Sequence, residues 1–176
     1  MEKENKKRHD EPKPQETAVF NVNYQNFIEG VNDMINSVNV PVQTVLQNST
    51  ILFGSDKFRS CRCGCECGGW LFHDLGSGQF ILTNNRCDCA VFEILFNANV
   101  TSATTGALPF VIQSNGEVIG GTEMDYTVAT ANTYGNISSS TLVKVPARAS
   151  ITITVKNISS LIALVKDANI IIKKIA

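Results

Sequence analysis

Phe110-Val111-Ile112-Gln113-Ser114-Asn115-Gly116-Glu117-Val118-Ile119-Gly120-Gly121-Thr122 reads as a β-hairpin. Two short apolar runs flank Asn115-Gly116, the dipeptide that best tolerates positive φ at both central positions of a two-residue turn. Further on, Ser150-Ile151-Thr152-Ile153-Thr154-Val155 alternates strictly. That period of two buries an Ile/Val face and leaves a threonine face exposed or paired. Working outward from these two segments, strand patterns occur at 70–73, 79–83, 89–98, 108–113, 117–119, 124–129, 141–145, 150–156, 162–165 and 169–175. Gly76-Ser77-Gly78, Asn84-Asn85, Thr104-Thr105-Gly106, Gly120-Gly121 and Tyr134-Gly135-Asn136 punctuate them as turns. No helical period of any length runs through this region. Eight to ten short strands at this spacing predict an all-β fold over residues 70–176, a β-sandwich or jelly roll.

Upstream the pattern changes. Residues 1–16 carry five basic and five acidic side chains with Pro12 and Pro14, and are expected to be a disordered charged tail. Residues 17–60 read as an arm or connector. Within it Ala18, Val19, Phe20, Val22 and Tyr24 alternate in part, as a short strand that docks on a neighbouring subunit. Phe27, Val31, Ile35 and Val38 recur at helical spacing, predicting an amphipathic helix capped by Asn26 and ended by Pro41. Val42, Val45 and Leu46 would add a turn, and residues 49–53 lead in extended.

Between connector and sandwich lies the cysteine-rich junction, residues 61–69. Cys61, Cys63, Cys65 and Cys67 stand two residues apart, and Cys87 and Cys89 repeat that spacing. In an extended chain such neighbours share one face, with Cα atoms about 6.5–7 Å apart, at or past the reach of a disulfide. Partners on a second segment or a second subunit suit them better. Disulfide cross-linking, metal binding by Cys-x-Cys clusters and free thiols all stay open. Zinc knuckles usually leave two to four residues between their cysteines, whereas here a single residue separates each near pair. The pairing among six cysteines is not fixed by spacing.

Composition narrows the function classes. A formal charge of -1 without a basic stripe argues against nucleic acid. Met1 is followed by a charged stretch with no apolar run behind it, so no secretory leader is expected, and no apolar run is long enough for a membrane span. Yet disulfides persist outside the reducing cytosol, so cross-linking implies release without a signal peptide, for instance from a cell that lyses.

The hairpin at 110–122, the pair Thr141-Leu142-Val143-Lys144-Val145-Pro146-Ala147 and Ser150–Val155, and the closing Asn169-Ile170-Ile171-Ile172-Lys173-Lys174-Ile175 together resemble complement/TNF-like jelly rolls. In bacteria that fold caps collagen-like exosporium glycoproteins, and related jelly rolls build spore-appendage fibres of the Ena type. The resemblance covers about residues 79–176. It implies a structural, self-assembling subunit or cap of a disulfide-stabilised extracellular fibre or appendage on a spore surface, with copies of itself as partners, in a trimer or a fibre. The chain departs from these families in lacking a Gly-X-Y repeat and in placing Arg148-Ala149 where a glycine turn is common. Two other readings stand beside it: a trimeric adhesin or lectin-like head that binds a surface glycan, and a Cys-x-Cys metal-binding protein.

Catalysis finds little support, and the chain is read as a non-enzyme without a cofactor. Its histidines are His9, in the charged tail, and His73, beside Asp74. Adjacent strand residues point to opposite faces, so His73 and Asp74 make a poor base and orienter. Glu123, Asp125 and Asp88 could hold calcium, although three scattered acids are more often solvated surface. Asn48, Asn99, Asn136 and Asn157 begin sequons, but no N-glycan is expected without a leader. Trp70, Phe92, Phe96, Phe110 and Tyr126 are expected in the core.

Overall fold

A computed structural model describes residues 33–59 and 69–176. Thirteen strands follow one another there: β1 (Met34–Asn39), β2 (Gln43–Val45), β3 (Ser55–Arg59), β4 (Leu71–Phe72), β5 (Phe80–Thr83), β6 (Ala90–Thr101), β7 (Gly106–Ala107), β8 (Phe110–Ser114), β9 (Glu117–Val118), β10 (Thr127–Val128), β11 (Gly135–Val145), β12 (Ser150–Asn157) and β13 (Ala163–Lys174). Among the described residues there is no helix. The first sheet has the order β11-β6-β13-β1-β3, with β2 also on β13; the second has the order β4-β5-β12-β8-β9, and β10 pairs with β7 in a small ribbon. All these pairings are antiparallel. The all-β sandwich expected from the alternating strands is the observed fold.

The inward faces meet in one core containing the fully buried Phe53, Phe80, Phe92, Phe110, Ile94, Leu82 and Ile153. Phe96 and Trp70 are also buried, and Trp70 stacks on Phe92 with ring centroids 5.6 Å apart. Tyr126 packs against this core only partly buried, its hydroxyl donating to the Thr133 carbonyl. The alternation of β12 is realised directly: Ile151, Ile153 and Val155 are buried while Thr152 and Thr154 lie half-buried on the other face. Asn115 and Gly116 take φ of 52° and 87°, the left-handed pair that a two-residue hairpin needs. The turn is stapled to β12, since Asn115 N–H donates to the Thr152 carbonyl and Thr152 N–H donates to Asn115 Oδ1, each at 2.8 Å.

The expected helix is not present over residues 34–39. That segment is β1, paired with β13 from Met34↔Lys173 to Asn39↔Ala168 and with β3 on its other side. Ile35 and Ser37 face the core while Met34, Asn36 and Val38 point the other way, a period of two. Pairing partners far along the chain override the local helical spacing. The turn expected around Val42, Val45 and Leu46 is likewise replaced, over Gln43–Val45, by β2. The sandwich therefore starts well before Trp70: Ile35, Val45, Ile51 and Phe53, expected in a connector, are core residues. Residues 1–32, with the docking arm Ala18, Val19, Phe20, Val22 and Tyr24, lie outside the described residues.

Boundaries moved elsewhere too. The two segments expected at 162–165 and 169–175 are one strand, β13, with a bulge between Lys166 and Asn169 where Asp167 takes a φ of 53°. The turn expected at Tyr134-Gly135-Asn136 is partly the start of β11. Gly135 pairs with Val100 there, and a Cβ on it would run into the Tyr126 ring. The described chain enters and leaves side by side, with Lys174 N–H donating to the Asp33 carbonyl at 2.8 Å.

Candidate functional site: a cysteine loop and an uncovered sheet face

The loop between β5 and β6 carries Cys87 and Cys89. It is organised by Asn84, whose fully buried side chain donates to the carbonyls of Asp88 (2.7 Å), Pro146 (3.0 Å) and Val145 (3.2 Å) and accepts from Arg86 N–H (3.1 Å). The one side chain thus ties the loop to the end of β11. Both thiols are exposed and free. Arg148, at a φ of 57°, directs its guanidinium to Cys87 Sγ at 3.4 Å, and Arg86 pairs with Asp88 at 3.4 Å.

Cys61, Cys63, Cys65 and Cys67 lie outside the described residues, but the chain on either side of them is anchored. On one side Arg59 donates to the Leu71 carbonyl at 2.9 Å. On the other, Thr83 N–H donates to the Trp70 carbonyl at 2.7 Å, and a Cβ on Gly69 would come within 3.1 Å of Asn85 Nδ2. The described chain therefore resumes, at Gly69, beside Asn85, two residues before Cys87.

The second feature is the outer face of the six-stranded sheet. Register brings Phe58, Asn36, Ile171, Leu95 and Ser140 into one cross-strand row, with Leu142 opposite Glu93 in the next. Leu142 is 61% exposed, Phe58 48% and Leu95 37%. The amide oxygens of Asn36 and Asn169, both on this face, are buried without a hydrogen-bond partner. The sheet ends at β11, an eleven-residue strand that pairs with β6 alone among the described residues. A long edge with a single charged side chain, Lys144, lacks the usual protection against pairing with another chain. None of these face residues stood out in the sequence, because each looks like an ordinary alternating strand position until the register stacks them.

The other candidates scatter. His73 is buried, whereas Asp74 is exposed. Glu123 and Asp125 are exposed on the loop before β10, away in sequence from Asp88. Among the described residues no group of three or more His, Cys, Asp or Glu is placed to hold a metal ion. Asn157, one of the sequon asparagines, is fully buried and donates to the carbonyls of Val45, Leu46 and Leu161, a structural role the sequence did not reveal.

No family model matches the chain, and a comparison with curated proteins finds no match. Solved structures do match. Murine APRIL aligns with a TM-score of 0.58 at 12% identity, covering 82% of this chain and 99% of that one. Eiger TNF from S. frugiperda aligns at 0.56 and 8% identity over 82% and 93%. The globular domain of zebrafish complement 1qA aligns at 0.53 and 8% identity over 81% and 95%. At these identities the likeness defines the class of fold, a TNF/C1q-like jelly roll. The C-terminal half and the strands before Trp70 both belong to it.

Proposed function

We propose that this chain is a structural subunit that assembles with copies of itself through the outer face of the six-stranded sheet. The observation that carries this is the row of exposed Phe58 and Leu95 around the half-buried Ile171, with exposed Leu142 beside it, next to the orphaned amide oxygens of Asn36 and Asn169. Covering that face removes apolar surface from water and gives the amides partners. In the finer form of the proposal, the assembly is an extracellular fibre or appendage on a spore surface. Residues 18–24 add to a neighbour's sheet edge, and Cys61, Cys63, Cys65, Cys67, Cys87 and Cys89 cross-link it. The exposed Cys87 and Cys89 support this reading, as does the position of Gly69, just past the first cysteine run in sequence, beside Asn85 of their loop. A mixed-disulfide route between copies needs accessible thiols of this kind.

Sedimentation and negative-stain microscopy of wild type and of a Leu95→Glu/Leu142→Glu variant test the face, with gels run with and without reductant. Expected are fibres or discrete oligomers for wild type, a ladder that collapses on reduction, and monomers of unchanged melting temperature for the variant. A monomeric wild type ends the proposal. Oligomers whose six thiols are reduced and bind zinc would leave the assembly but transfer the cysteines to metal binding.

A further inference from the structure

His73 follows β4, and its side chain is wholly buried. The ring lies 4.0 Å from Phe80, nearly parallel at 15°. Its Nδ1 sits 3.0 Å from the Gln79 carbonyl oxygen and 3.4 Å from Ser77 Oγ. A carbonyl can only accept, so Nδ1 carries the hydrogen and Nε2 presents a lone pair. That lone pair has no hydrogen-bond partner, and the nearest ionisable group facing it is Asp56 Oδ1 at 3.9 Å. Asp56 accepts a hydrogen bond from the hydroxyl of the fully buried Ser37. Two acceptors thus face each other, the ring buried and the carboxylate partly exposed, each held by its own sheet: Asp56 on β3 at the rim of the first, His73 beside β4 at the rim of the second.

We propose that His73 is a proton-operated clasp between the two sheets, with the partly exposed Asp56 as its counter-ion. A proton from solvent adds to the Nε2 lone pair, Nδ1–H stays on the Gln79 carbonyl, and the imidazolium pairs as an ion with the Asp56 carboxylate, 3.9 Å away. The pair formed is neutral as a whole. The other charged groups nearby are Arg59, whose guanidinium is on the Leu71 carbonyl, and the exposed Asp74 and Lys57. None of them replaces Asp56 as the acceptor. The sign follows from the partner gained: the clasp is closed while His73 holds the second proton and opens when that proton is lost. What it secures is β3, the strand that carries Phe58 and runs into the cysteine junction.

The test uses the full-length protein with His9→Gln, so that His73 is the one histidine, labelled with 15N. Long-range proton–nitrogen correlations from about pH 8 to about pH 5 report each ring nitrogen. The expected result is a protonated Nδ1 and bare Nε2 at high pH, with Nε2 gaining its proton on acidification. In Asp56→Asn that gain is lost over the same range, and the melting-temperature gap between wild type and Asp56→Asn widens toward acid. If Nε2 already carries the hydrogen at high pH, or if Asp56→Asn titrates like wild type, the clasp does not exist. The wild-type tautomer reading stands even if the variant does not fold.

Discussion

Gly135 shows how much one side chain's absence can decide. Its backbone is part of β11, paired with Val100, and the Tyr126 ring occupies the volume a side chain would take. Tyr126 is in turn fixed by its hydroxyl on the Thr133 carbonyl. Gly135→Ala should therefore destabilise by about 1–3 kcal/mol, the usual cost of overpacking, read as a fall in melting temperature. A parallel Tyr126→Leu change should remove most of that penalty. If Gly135→Ala melts with wild type, the ring is free to move aside. Asn84 and Asn157 act at the same scale in the opposite sense, since each fills a buried polar junction with three carbonyl acceptors. Their roles were illegible in the sequence because asparagine there signals turns and sequons alike. Only the folded arrangement shows which carbonyls would otherwise be orphaned.

At the level of elements, the legible strands were those whose own residues dictate period and ends. β12 alternates without interruption and the β8–β9 hairpin is closed by Asn115-Gly116. β1 was misread because Phe27, Val31, Ile35 and Val38 fall at helical spacing. The information that makes residues 34–39 a strand resides in β13 and β3, which pair with it on both sides. A direct check is Val38→Pro. The register places Val38 between Asn169 and Ser55, so the ring removes a ladder donor inside the sheet. An expected loss of about 1–3 kcal/mol follows from the unpaired buried carbonyl left behind. The same substitution at Val42, exposed and outside any strand, should be nearly neutral. Equal effects at the two positions would contradict the placement of β1.

For the molecule as a whole, the cysteine junction is a detour within one sandwich rather than a border between two parts. Strands on both sides of it share one core, in which Ile35, Val45, Ile51 and Phe53 are all buried. Each such side chain contributes about 1.5–3 kcal/mol when fully buried. Four together rival the entire stability of a typical domain, about 5–15 kcal/mol. A chain beginning at Gly69 should accordingly fail to show a cooperative thermal transition, whereas one beginning at Asp33 should melt much as the full-length protein does. A folded, cooperative fragment from Gly69 onward would mean that β1, β2 and β3 are ornaments on the sheet.

β1 and β13 are neighbours, antiparallel, and hydrogen-bonded to each other up to the point where Asp33 and Lys174 meet. That arrangement fixes how the folded chain answers tension. A pull applied between the segment preceding Met34 and the C-terminal end acts at one end of the pair, across the strands. It breaks the Lys174–Asp33 hydrogen bond first, then opens Met34↔Lys173 and Ile35↔Ile172, one rung after another, instead of loading all the rungs at once. Such a zipper yields at low force. A fibre that drew its load through these two ends would be extensible and would need covalent bonds elsewhere to be strong.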